Sequence, residues 1–313
     1  MNAHLIVLTF ALVFPGNAAD VPTAGAENLL RMLPEKTRHV LYVNRFSEAW
    51  SAALPNGPGS ADVLGVRDGR ATQEFEDRFA IPAKTLAEHD VSGLLRAAVA
   101  GPDGSLRDLL LAETPTPERA RELISESIRV AETQGAQVEQ IAGSNPAGAI
   151  LRWTAAQGGA RVVCLVVVGR LLIGATDTEL AEQVAGIASG AKSWKPSHLP
   201  GLSEIVAGRR LEWPEDRPGL LWCSNPWGSA NGESQLEATA QRHGLTGIQA
   251  IGGLVTSDSS GTLVGQTQIL APGPHQGSLR ILQLSPGKDW EAPGWLCQEL
   301  DEMVLLHGNV SRA

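Results

Sequence analysis

Leu106-Arg107-Asp108-Leu109-Leu110-Leu111-Ala112-Glu113 runs directly into Thr114-Pro115-Thr116-Pro117-Glu118, and this junction decides the fold. The first segment is an apolar run of strand length. In the second, Thr116 can cap a helix, Pro117 suits its first position, and Glu118 favours the positive end of its dipole. The helix carries Ala120, Leu123, Ile124, Ile128 and Ala131 at the spacing of one apolar face and stops near Gly135. Extended runs follow at residues 137–141, 149–154 and 161–168, and Gly169-Arg170 turns the last of them back into 171–175. Thr176-Asp177-Thr178-Glu179 then opens a second helix with Leu180, Val184 and Ile187. The order β-α-β-β-β-β-α describes an α+β fold, with mainly antiparallel sheet and helices packed on one face.

Upstream, the spacing predicts a short helix over 26–33, a strand at Val40-Leu41-Tyr42-Val43 and a helix over 46–54. Residues 55–62 read as a Pro/Gly/Ser loop. Two helical turns are expected at 73–79 and 83–89, then a strand over 94–100 and a turn at Gly101-Pro102-Asp103-Gly104. The second half repeats parts of this order. Pro34-Glu35-Lys36-Thr37-Arg38-His39-Val40-Leu41-Tyr42-Val43-Asn44 aligns without a gap on Pro214-Glu215-Asp216-Arg217-Pro218-Gly219-Leu220-Leu221-Trp222-Cys223-Ser224. Val91-Ser92-Gly93-Leu94 aligns on Leu245-Thr246-Gly247-Ile248, and each is followed by a hairpin whose second strand lies at 106–112 or 263–271. Two matches in one order indicate divergent copies of a strand–helix–hairpin unit. A third start is expected at Val304-Leu305-Leu306-His307-Gly308-Asn309-Val310-Ser311, which leaves the last copy incomplete.

The division expected is a signal peptide at 1–19, a first α+β unit at 26–190, a linker at 191–212 and a second, divergent unit at 213–313. Three short motifs carry a likeness to known proteins: Leu33-Pro34-Glu35-Lys36-Thr37 before the first strand, Pro117-Glu118-Arg119-Ala120 at a helix start, and Gly174-Ala175-Thr176-Asp177-Thr178-Glu179-Leu180 at a strand-to-helix step. With them the chain resembles a group of uncharacterised exported bacterial proteins built from repeated α+β units. The likeness implies export and repetition, and the group carries no activity to transfer.

Composition sets the remaining bounds. The chain has 313 residues, 43% hydrophobic and 19% charged, with a net charge of −9 and no run of Lys or Arg. Nucleic acid and anionic membrane surfaces are therefore not expected partners, since both call for a positive patch. Leu5-Ile6-Val7-Leu8-Thr9-Phe10-Ala11-Leu12-Val13-Phe14 precedes Pro15-Gly16-Asn17-Ala18-Ala19, the pattern of a secretory signal cut near Ala18 or Ala19. That run is shorter than the about 20 residues of a membrane span, so no stable transmembrane anchor is expected. The region before it, Met1-Asn2-Ala3-His4, lacks the usual Lys or Arg, and a buried first strand is the competing reading. Cys164, Cys223 and Cys297 are far apart and lack metal-ligand spacing, which suits buried thiols; the competing reading is a single disulfide in an oxidising compartment, whose pair the sequence does not select.

No local pattern specifies a reaction. Phosphate-binding glycine loops are missing, and the seven histidines, His4, His39, His89, His198, His243, His275 and His307, show no metal-ligand spacing. Gly143-Ser144-Asn145-Pro146 sits between strands and reads as a turn, not a nucleophile elbow. Ser257-Asp258-Ser259-Ser260-Gly261 lacks the further acids of a calcium loop. Glu118 with Glu122, and Glu179 with Glu182, fit solvated helix faces, the first pair beside Arg119 and Arg121. No catalytic residue, cofactor or metal is assigned. Tryptophan stands out: eight Trp accompany five Phe and one Tyr. Trp213, Trp222, Trp227, Trp290 and Trp295 form a candidate interaction surface. The competing reading puts Trp222 in the core, with Trp213 and Trp227 over the sheet edge. The expected function is an exported binding or interaction module of the periplasm or cell envelope, with an unknown protein or envelope component as partner. The alternative is an envelope hydrolase whose site is assembled from unlinked residues.

Overall fold

A computed structural model of the chain describes residues 29–53, 76, 78–79, 81–140, 148–153, 161–190, 218–225, 238, 241–257 and 263–271. It has two units, Thr23–His198, and Leu199–Ala313 together with Met1–Pro22. In the first, strands β1 (Thr37–Asn44), β2 (Gly93–Ala100), β3 (Leu106–Glu113), β4 (Gln137–Gln140), β5 (Gly148–Trp153), β6 (Arg161–Val168) and β7 (Leu171–Ala175) form antiparallel sheet. They lie in the order β1-β2-β3-β7-β6-β5-β4. Helices α1 (Phe46–Ala53), α2 (Ala83–Glu88), α3 (Pro117–Thr133) and α4 (Thr178–Ala188) accompany them. The β-α-β-β-β-β-α order over 106–188 is as expected.

Local chemistry sets the helix ends. The Thr116 hydroxyl accepts from the Arg119 N–H at 3.3 Å, with Pro117 in the first turn. Past the end of α3, Gly135 takes φ +82°, a left-handed conformation that suits glycine, while the Ala136 N–H donates to the Ala131 carbonyl at 3.0 Å. The Asp177 carboxylate caps α4, accepting from the Leu180 N–H at 2.9 Å. One expected core position shifts. Ile128 is only partly buried, whereas Ser127 is fully buried and donates its hydroxyl to the Leu123 carbonyl at 2.7 Å. A serine satisfied within its own helix fits a core as a small residue would.

Burial in the central strands extends to both sheet faces. Leu109, Leu110, Leu111 and Ala112 are all 0% exposed, so β3 is buried on both faces there. Leu171 to Ala175 are likewise all buried. Helix α3 packs against β4 to β7, and α4 against β3, β6 and β7. Phe79 meets the opposite side of the chain at Gly174: a Cβ on that glycine would stand 3.4 Å from the Phe79 ring and 3.5 Å from the Leu110 Cβ.

The second unit contains the antiparallel meander β8 (Gly219–Ser224), β9 (Ala250–Ser257) and β10 (Leu263–Leu270), with a 3₁₀ turn at Leu245–Gly247 before β9. Ile248 and Ala271 form a small core with Leu245, Ile251 and Ile269. The expected loops at 55–62 and 143–146, and the expected third start at 304–311, lie outside the described residues. No helix among the described residues is long and apolar enough to cross a membrane.

Candidate functional site: an open face of the sheet

Directly paired residues of neighbouring strands point to one face, so the register of β1, β2 and β3 can be read as rows. On one face, Val40 with Ala97 and Leu109, and Tyr42 with Leu95 and Leu111, are buried throughout. The other face changes along its length. Val43, Leu94 and Ala112 form a closed row at 3%, 8% and 0% exposure. The next row, Leu41, Arg96 and Leu110, opens towards β1; then come His39, Ala98 and Asp108, and finally Ala100 and Leu106. Among the described residues, the exposed large apolar side chains are Leu41 at 37% and Leu106 at 45%, and both stand on this open part. Two strand spacings of about 4.8 Å and four residues of about 3.4 Å put them about 17 Å apart.

An ion cluster lies between the two leucines. Arg78 Nη1 donates to Asp108 Oδ2 at 2.5 Å, and Arg96 Nη2 donates to Asp108 Oδ1 at 3.3 Å. Asp108 is therefore engaged through both oxygens. Its own N–H donates to the Thr176 hydroxyl at 3.0 Å, which ties the carboxylate's backbone to the entry of α4. The neighbouring Arg107 points to the opposite face and pairs with Asp177 at 2.8 Å. Asp108 itself is mostly covered, while Arg78 and Arg96 keep part of their surface in solvent. Beside them, the register of β1 slips between Thr37 and His39. Burial first, and the Arg38 charge second, hold the His39 imidazole below its ordinary pKa.

Of the residues expected to form an interaction surface, Trp213, Trp227, Trp290 and Trp295 lie outside the described residues. Trp222 is half-buried on β8, in register with Gly253 and on the strand face opposite Leu221 and Cys223. The paired carboxylates of α3 are on its solvated side. Arg121 bridges to Glu118 at 3.3 Å, and Arg119 to Glu122 at 3.1 Å. Folding brings a histidine to them: His89, at the end of α2, sets Nε2 3.2 Å from Glu126 and Nδ1 3.9 Å from Glu122. Among the described residues, no group of three or more His, Cys, Asp or Glu is arranged to hold a metal ion. Cys164 is a buried, unbridged thiol, pushed up to about 11 by burial and then by the Glu182 and Asp177 charges.

Comparison with known proteins gives no relative to reason from: no family model, curated protein or solved structure matches this chain.

Proposed function

We propose that this protein is an exported binding or interaction module of the periplasm or cell envelope. In this reading it is released by cleavage near Ala18 or Ala19, and it presents the open rows of β1, β2 and β3 to a partner. One observation carries it. Leu41 and Leu106 are exposed on a single sheet face, with an Arg–Asp–Arg cluster between them. The support is the combination on one face: accessible guanidiniums that can orient a partner, with an exposed leucine on each side to contact its apolar groups. The repeated-unit reading belongs with this proposal. Its support is the aligned sequences of the two halves and the antiparallel meander that follows each: β1-β2-β3 and β8-β9-β10.

A photoreactive residue at position 41 or 106, introduced in the native cell, tests this reading. The control is the same residue at Arg121, which is exposed on α3. Irradiation is expected to give a discrete adduct in the envelope fraction from 41 and 106 but not from 121. The mature N-terminus is expected at Ala19 or Asp20. Equal adducts from all three positions would refute the face, and a protein still beginning at Met1 would refute export.

A further inference from the structure

The open face is unevenly charged in a way that specifies what it can hold. Two guanidiniums share one carboxylate, so the cluster of Arg78, Arg96 and Asp108 carries one surplus positive charge in a chain whose net charge is −9. Each arginine has five N–H donors in a planar fork, and the bonds to Asp108 leave most of them for another acceptor. Those donors are accessible: Arg78 is 47% exposed and Arg96 34%, against 14% for Asp108. The carboxylate thus lies at the base of the cluster and fixes the two cations, whose outer edges face solvent.

From this arrangement we infer that the face binds an extended acidic peptide segment of a partner protein, one carboxylate on Arg78 and Arg96 and apolar side chains on Leu41 and Leu106. The inference rests on reading this face as a binding surface and adds the chemistry of the partner. A single surplus charge is matched by a carboxylate. Same-side residues four apart in an extended chain stand about 14 Å from each other, which side-chain reach can extend to the about 17 Å between the leucines. In such a chain alternate side chains face one way, which puts a central acid and flanking apolar groups on the same side. The sheet beneath is held by the closed row of Val43, Leu94 and Ala112 and by the buried opposite face, so the strand positions that carry Arg96 and Asp108 are fixed before the partner arrives.

The test is selection of a randomised heptapeptide display library on the whole chain, repeated on three variants checked for native circular dichroism. The double variant Arg78→Gln/Arg96→Gln removes the cations. Leu41→Ser/Leu106→Ser removes the apolar anchors, and Asp108→Asn keeps both arginines while removing the charge that aligns them. Enriched peptides are expected to carry Asp or Glu flanked by Leu, Ile or Phe. Their affinity is expected to fall about tenfold in each double variant, as the cations or the apolar anchors are lost, and to fall in Asp108→Asn, which no longer holds the two guanidiniums side by side. Neutral apolar peptides that ignore the arginine variant but need the leucines would overturn the acidic partner and leave the binding face standing. No enrichment, or peptides indifferent to all three variants, would overturn both; an open face already taken by the chain's own residues would give that result.

Discussion

Phe79→Ala tests whether the segment that carries Arg78 belongs to the core of the first unit. Phe79 is 0% exposed, and its ring lies against Gly174. Truncation to alanine removes roughly 150 Å² of buried apolar surface, about 4 kcal/mol at about 25 cal/mol per Å². The space left is bounded by Leu110, Leu165 and the backbone of Gly174, all on strands paired on both sides. Collapse into it is therefore limited, and the cost belongs within the about 3–5 kcal/mol of such truncations. Urea unfolding followed by tryptophan emission measures it. A second substitution makes the measurement specific. In the natural chain, a methyl added by Gly174→Ala meets Phe79 and Leu165 at 3.4 Å, near the limit of comfortable contact, so its effect is small. In the Phe79→Ala background the same methyl fills part of the vacated space and recovers about 1 kcal/mol. A cost for Phe79→Ala below about 1 kcal/mol, or strict additivity of the two changes, would refute the packing and with it the fixed position of Arg78.

The two helix caps should differ in worth. Asp177→Ala loses both the 2.9 Å bond from Leu180 and the ion pair to Arg107, and is expected to cost about 1–2 kcal/mol. Thr116→Ala loses one longer bond at 3.3 Å and is expected to cost about 0.5–1 kcal/mol in the same unfolding assay; equal costs would show that Arg107 adds nothing. Cys164, pushed up to about 11 chiefly by burial, stays a thiol at pH 8 and should resist alkylation until the chain is unfolded. Because its folded pKa is raised, the unfolded chain gives up this proton first. Stability is therefore undiminished by this group at neutral pH and falls as pH climbs from the ordinary thiol range towards 11, a loss that Cys164→Ala should remove.

What could be read from the sequence was what local chemistry specifies. The boundaries of β3, β6 and β7 follow from long apolar runs, and those of α3 and α4 from Thr116, Pro117, Asp177 and Gly135. Ser127 escaped the apolar spacing because a hydroxyl bonded to the carbonyl four residues back is as buriable as a methyl. The open face was not legible because burial of a strand face depends on what covers it from elsewhere in the chain. Arg78 reaches Asp108 across 30 residues. Part of the signal was available all the same. Arg96 and Asp108 are opposite charges inside apolar strands, on either side of the turn at residues 101–104. Hairpin pairing about that turn puts Arg96 and Asp108 diagonally adjacent on one face.

The same register explains why so exposed a cluster can be so well placed. Ion pairs with partners this exposed contribute about 0–1 kcal/mol, too little to hold three side chains of three segments in position. The position comes from elsewhere. A slip of one residue in β2 would bring Leu95, Ala97 and Val99 onto the open face and drive Arg96 into the core, so the buried rows lock the register. Phe79 fixes Arg78 in the same way, through a ring against Gly174. Asp108 then only has to align two guanidiniums that the strands and Phe79 have already brought together, with their outer donors turned to solvent. A pair of cations held by the core behind them loses little freedom when an acid arrives, and that is the physical condition for a small patch to bind selectively.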